Sequence, residues 1–173
     1  ADPASDYPTV MVALEAGITV AGSRGKRRIA AEEIFVDLFT TELKSDEILS
    51  EVSVSTMGKG EGGTYLKHRH PASRYAVVGV AAHVAIKNNV CKSVRLVVGG
   101  ATVVPVLARG VEEVLLGEKP SVNTISTAAD RVAESLESPL SDLYASGEYR
   151  AHLATVLARR ALAESFRRAQ KQK

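Results

Sequence analysis

Three groups of side chains in this sequence have types and spacings that could do chemistry. Tyr65 and Lys67 stand two apart in the strand-like run Thr64 to Arg69, so alternation puts a phenol and an ammonium on one face. Such a face can hold an aromatic, electron-rich group, because lysine is a compact cation that stabilises developing negative charge or a phosphate. The same pattern also describes a solvated strand face. His68 and His70 repeat the two-residue spacing, and imidazole pairs suit zinc or copper. A third ligand is missing, since Cys91, His83 and His152 stand at no recognisable spacing, which favours a hydrogen-bonding surface for a partner over a metal site. Asp6, in Pro3-Ala4-Ser5-Asp6 ahead of an apolar run, reads first as a helix cap that satisfies orphan N–H groups.

Two further features carry less. Gly99-Gly100 closes a strand but lacks the helix start and lysine of a phosphate loop, so it reads as a close-packed turn. Arg159-Arg160 and Arg167-Arg168 make the tail basic near its end, where cations favour the negative pole of a helix.

The elements that position these residues fall into two parts, with Gly58 to Gly63 (GKGEGG) as a hinge or loop between them. The boundary is set there, giving 1–58 and 59–173. In the first part a short helix spans Tyr7 to Leu14, a strand Ile18 to Ala21, a turn Ser23 to Lys26 and a second short helix Ala30 to Phe35. Ile48 to Val54 alternates as a half-buried strand does. The second part opens with strands Thr64 to Arg69, Tyr75 to Ile86 and Val90 to Gly99, the last two joined at Asn88-Asn89 as a hairpin. Helices follow at Val111 to Leu116, Ser121 to Leu136 and Gly147 to Gln170. The last has Tyr149, Leu153, Val156 and Leu157 at the spacing of a buried stripe. Strands followed by helices predict an α+β fold: the end of one α+β domain, then a domain with a three-stranded antiparallel sheet and a helix bundle.

Bulk properties narrow the function. The chain has 173 residues, 22 basic and 20 acidic side chains and a formal net charge of +2, so no strong field favours nucleic acid or an anionic membrane. One cysteine cannot make an internal disulfide or a thiolate metal site, which points to a reducing, cytoplasmic setting. No apolar run reaches the length of a membrane span. The start, Ala1-Asp2-Pro3, lacks an initiator methionine and reads as the interior of a domain, so a fragment or processed chain is expected.

Taken together, Ala1 to Asp6 (ADPASD), Gly63 to Ala82 (GTYLKHRHPASRYAVVGVAA) and Tyr149 to Leu162 (YRAHLATVLARRAL) resemble the FAD-carrying medium subunits of molybdenum hydroxylases, in the order that family uses. The closest resemblance is to the carbon monoxide dehydrogenase type within the xanthine dehydrogenase family. The resemblance implies an oxidoreductase subunit, with 1–58 as the C-terminal part of the FAD-binding domain and 59–173 as the subunit's C-terminal domain. It implies that Ser5 and Asp6 lie beside the flavin, that Lys67 is near the isoalloxazine, with Tyr65 on the same face, and that Ile48 and Leu49 pack against the ring. It also implies electron transfer from iron–sulfur clusters through FAD to an external acceptor. The molybdenum cofactor and the clusters would reside in a large and a small partner subunit of a hetero-oligomer. The glycine-rich pyrophosphate loop of the family is absent, so an incomplete FAD site is expected, with completion by a separate N-terminal chain left open. Two rival readings are a non-catalytic assembly domain and a small metal- or ligand-binding module built on the histidines.

Overall fold

The computed structural model describes residues 1–172. Helix α1 (Asp6–Ala13) leads into β1 (Gly17–Gly22), which pairs with β2 (Gly25–Ala30) and with β5 (Ile48–Ser53) in an antiparallel sheet of order β2-β1-β5. Between them lie a one-turn helix α2 (Ala31–Ile34) and a small β3–β4 ribbon (Phe35–Asp37, Thr40–Thr41). The second sheet is the expected meander of β6 (Glu61–Arg69), β7 (Ala76–Lys87) and β8 (Val90–Gly99), extended by the two-residue β9 (Val106–Leu107). Asn88 and Asn89 both adopt positive φ, 54° and 62°, the geometry of a tight hairpin turn. Helices α3 (Arg109–Leu115), α4 (Val122–Asp130) and α5 (Gly147–Lys171) follow, with a single 3-10 turn at Ala133–Ser135.

The meander divides the core into two. Val78, Val80, Ala82, Val84 and Ile86 of β7 alternate into the cluster under α3, α4 and α5. Ala81 and Val97 face the other way, into a cluster with Val12, Ala13, Ile18, Val20 and Ile34 of the N-terminal part. Strand periodicity of two therefore assigns Tyr65, which packs on the second cluster, to the side covered by α1.

Several sequence expectations change here. Gly62 is a contact point and not a hinge: it lies inside β6, and a Cβ there would meet the backbone of Ser165 and Ala169 on α5. The α5 seam is accordingly made of small residues, Ala154, Ala158, Ala161, Ser165 and Ala169, with Leu162 and Phe166; Tyr149 remains 44% exposed and Leu153 and Val156 half-buried. Small residues let a helix approach a sheet closely, and a pattern search for large apolar residues misses them. β5 is not half-buried. Ile48, Leu49, Val52 and Val54 are all exposed, because β5 is an edge strand whose register shifts opposite Thr19 and Val20, which breaks the alternation. The expected turn over Ser23 to Lys26 runs directly into β2, whose sequence GKRRIA carries no alternation to reveal it. The helix expected over Ser121 to Leu136 stops at Asp130. Gly99-Gly100 is the close-packed turn expected: a Cβ on Gly100 would meet the Ala76 and Val77 carbonyls at 2.8 and 2.9 Å.

Candidate functional site

Asp6 is the first residue of α1 and does not cap it. The N-cap position is Ser5, which makes no side-chain capping bond, and the Asp6 carboxylate turns away from the helix toward β6. It accepts a hydrogen bond from the Tyr65 hydroxyl at 2.7 Å and two from the Lys67 ammonium, at 2.9 Å to Oδ1 and 2.6 Å to Oδ2. Side-chain exposure is 43% for Asp6 and 21% for Lys67. The pair thus sits at a groove wall and is neither dry nor fully solvated.

Why the three residues meet can be read from the strands. Tyr65 pairs with Ala81 and Lys67 with Gly79 across the ladder, so β7 presents two of its smallest side chains beneath them. A Cβ on Gly79 would strike the Tyr65 ring, with Cζ at 3.0 Å. The glycine therefore gives the phenol room to lie across β7 and reach Asp6.

The electrostatics are mutual. Burial pushes the Asp6 carboxyl up, but the hydrogen bonds from Lys67 and Tyr65 and the Lys67 charge outweigh it and hold it below its ordinary value. Burial first, and then the Asp6 hydrogen bond and charge, push the Tyr65 phenol far up, so it remains a neutral donor at physiological pH.

Asp6 and Lys67 line a groove of about 270 Å³ together with Ser5, Tyr7, Ser73, Arg74 and Tyr75, while Tyr65 supports Asp6 from behind it. A second, more apolar cleft of about 260 Å³ shares Ser5 and Tyr7 with it and runs past Met11, Phe35, Leu43 and Leu49. Each alone is below the ~300–1,000 Å³ of a typical small-molecule pocket, and the two have Ser5 and Tyr7 in common as wall residues. Of the residues expected from sequence, Ser5, Asp6, Lys67 and Leu49 lie along these clefts, whereas Tyr65 lines neither and reaches the site only through its hydrogen bond to Asp6. Ile48 is 69% exposed and is not among the residues lining either cleft. Sequence reasoning missed Tyr7, Arg74 and Tyr75. Tyr7 and Tyr75 are 76% and 51% exposed, and two tyrosines outside any apolar period were the available signal.

The histidines do separate jobs. His70 Nδ1 accepts the backbone N–H groups of Ala72 and Ser73 at 3.3 and 3.4 Å, and its ring packs on Tyr144 at 4.6 Å. It shapes the turn that carries Arg74, at φ +62°, and Tyr75 into the groove. His68 meets the edge of Tyr149. Among the described residues no three His, Cys, Asp or Glu side chains converge as a metal-ion cluster would. Arg167 and Arg168 both bind Glu164, and Arg168 also donates to the Gly63 carbonyl at 2.7 Å.

Residues 64–165 match the family model of the CO dehydrogenase flavoprotein C-terminal domain, and residues 1–56 match that of the FAD binding domain in molybdopterin dehydrogenase. The chain is 32% identical over 164 residues to the glyceraldehyde dehydrogenase medium chain of Sulfolobus acidocaldarius, covering 95% of this chain and 58% of that protein. It is 32% identical over 164 residues to the nicotine 6-hydroxylase medium subunit of Paenarthrobacter nicotinovorans, covering 95% and 57%. Its fold is similar to a chain of the carbon monoxide dehydrogenase from Hydrogenophaga pseudoflava, with a TM-score of 0.91 at 26% identity over 96% of this chain and 58% of that one. The chain thus spans less than two thirds of the length of these relatives.

Proposed function

Because this chain belongs to the family of FAD-binding medium subunits of molybdenum hydroxylases, the carbon monoxide dehydrogenase type included, we propose that it is the flavoprotein subunit, or its C-terminal portion, of such an enzyme. In this reading it passes electrons from iron–sulfur clusters through FAD to an external acceptor. A molybdenum-containing large subunit and an iron–sulfur small subunit would be its partners. Residues 1–58 would close the FAD-binding domain and 59–173 form the C-terminal domain, a division supported by the spans of the two family models. The cytoplasm is the proposed location, supported by a buried cysteine that is free and, among the described residues, by no helix long and apolar enough to cross a membrane.

The observation that carries the reading is the Asp6–Lys67 pair, braced by Tyr65, on the wall of one cleft beside a second that shares Ser5 and Tyr7 with it. Its chemistry fits an isoalloxazine, which has a polar edge that exchanges hydrogen bonds and a methylated apolar end. Asp6 and Lys67 would face the polar edge, with Ser5 beside them. Leu49, Phe35 and Met11 offer an apolar wall, and Tyr7 and Tyr75 offer ring faces. When bound, the flavin supplies the redox step, and the protein groups tune and orient it. Tyr65 holds the carboxylate in place, and Lys67 offsets its charge, so that the ring meets a nearly neutral pair. Among the described residues no glycine-rich loop opens a helix in the way that holds a pyrophosphate. The residues of this chain therefore serve the ring end of FAD.

The test is the flavin content and reduction potential of the assembled complex carrying Asp6→Asn or Lys67→Met. Altered potential or content with intact assembly supports the reading. Loss of assembly, with unchanged flavin properties in whatever complex still forms, would make the chain an assembly domain instead.

A further inference from the structure

The chain between β6 and β7 folds back as a turn from His70 to Tyr75, closed at its base by the His70 N–H, which donates to the Tyr75 carbonyl at 2.8 Å. The tip is held differently. His70 Nδ1 accepts from the N–H groups of Ala72 and Ser73 at 3.3 and 3.4 Å, so in the neutral ring the proton sits on Nε2. Pro71 to Tyr75 are all exposed, and water can take over those two N–H groups once the ring stops accepting them. Arg74 stands at φ +62°, a left-handed conformation that is costly for a residue with a side chain and lasts only where its surroundings impose it. Ser73 and Arg74 of this tip line the groove that Asp6 and Lys67 also line.

We infer that neutral His70 is the positioning residue for this wall of the groove, and that protonation of its ring unlatches the tip from Pro71 to Arg74 and withdraws Ser73 and Arg74 from the groove. A protonated imidazole donates from both nitrogens. Its Nδ1–H then faces two other donors, so both bonds are lost together and the Arg74 backbone is free to relax. The charged groups that share a cavity with His70 are Asp142 and Arg150, which pair with each other. Tyr75 lines the same cavity, Tyr144 packs on the ring, and His68, two residues back on β6, meets Tyr149 instead. The remaining cation is Arg74 on the turn itself, and a second positive charge there favours opening. Imidazole changes charge between about pH 5 and 8, so the wall is complete at the alkaline end of that range and withdrawn toward the acid end. That the groove holds a flavin ring rests on the reading above; the latch does not depend on it.

The experiment measures backbone order parameters by NMR for the unaltered chain and for His70→Asn and His70→Ala, each at about pH 8 and about pH 5. In the unaltered chain Ala72 and Ser73 are expected at about 0.85 at the higher pH and below about 0.6 at the lower. His70 and Ala76, whose N–H groups bond the Tyr75 and Ala4 carbonyls, should stay rigid at both. His70→Asn supplies a side-chain carbonyl that accepts from the following N–H groups and does not titrate, and it should keep the tip ordered at both pH values. His70→Ala should leave it mobile at both. In the flavin-loaded complex the flavin absorbance bands should shift between the two pH values in the unaltered protein and hold still in His70→Asn. A tip that obeys this pattern without moving the bands would support the latch and count against the flavin's place in the groove. A tip equally ordered at both pH values, a loss of order that persists in His70→Asn, or a loss that spreads to His70 and Ala76 would overturn the inference.

Discussion

If Asp6 and Lys67 present a balanced pair to a bound flavin, removing one partner should expose the charge of the other, and the two single variants should err in opposite directions. Lys67→Met leaves the Asp6 carboxylate alone, which disfavours the negative charge that reduction adds. Asp6→Asn leaves the Lys67 ammonium alone, which favours it. The double variant restores neutrality and should return toward the unaltered protein. Unit charges about 4 Å apart interact by about 1 kcal/mol in water and about 4 kcal/mol at the effective dielectric of a protein surface. With 43% and 21% side-chain exposure, this pair lies toward the watery end. About 1 kcal/mol corresponds to roughly 20 mV for a two-electron couple. The potential should therefore fall by about 20 mV in Lys67→Met, rise by about 20 mV in Asp6→Asn, and lie within about 10 mV of the unaltered value in the double variant. Spectroelectrochemical titration of the flavin-loaded complex reads all three. Shifts of the same sign in both single variants, or a double variant displaced as far as either single one, would refute the reasoning.

Further predictions concern stability and access. Gly79→Ala should force the Tyr65 ring off β7 at a cost of about 1–3 kcal/mol, read as a melting point several degrees lower; an unchanged melt would show that the ring is not confined there. Arg150→Met should destabilise by about 2–4 kcal/mol in urea, because this buried guanidinium bonds the Val77 and Gly100 carbonyls at 2.6 and 2.8 Å, which the variant leaves unpaired, and the more exposed Asp142 at 2.5 Å; a loss below about 1 kcal/mol would contradict the assignment. Burial, with Glu112 adding to it, pushes the Cys91 thiol up to about 11, so thiol reagents at pH 8 should label it only after unfolding, and rapid native labelling would count against this. The Asp6 carboxyl is held below its ordinary 3.8, so its contribution to stability is complete above that value and is lost as pH falls through the lower folded-state value. Asp6→Asn should therefore be less stable than the unaltered chain at pH 7 and equal to it at the acid end, a difference that melts across pH 2–7 can follow.

The sequence exposed periodicity well and convergence poorly. The meander β6–β8, the Asn88-Asn89 turn and the Ser146 cap of α5, which accepts from the Tyr149 N–H, follow from local signals. Tyr65 and Lys67 sharing a face followed from alternation, but the acceptor that joins them lies 59 positions away from Tyr65, and Asp6 read locally as a cap. Gly62 and Gly79 were legible as glycines and not as places where α5 and the Tyr65 ring come close, since both needs arise from tertiary packing. The resemblance named Ile48 and Leu49 together; as neighbours on a strand they take opposite faces, and Leu49 alone lines the cleft. Tyr7 and Tyr75 sit at the start of a helix and the end of a turn, where no period marks them.

The most direct test of the central claim is the position of the flavin in an experimental structure of the FAD-loaded complex. The account predicts the isoalloxazine in the clefts that share Ser5 and Tyr7, with its polar edge within hydrogen-bond distance, about 3 Å, of Asp6 or Lys67. A ring bound elsewhere, with the Asp6–Lys67 pair facing only solvent or another subunit, would contradict it.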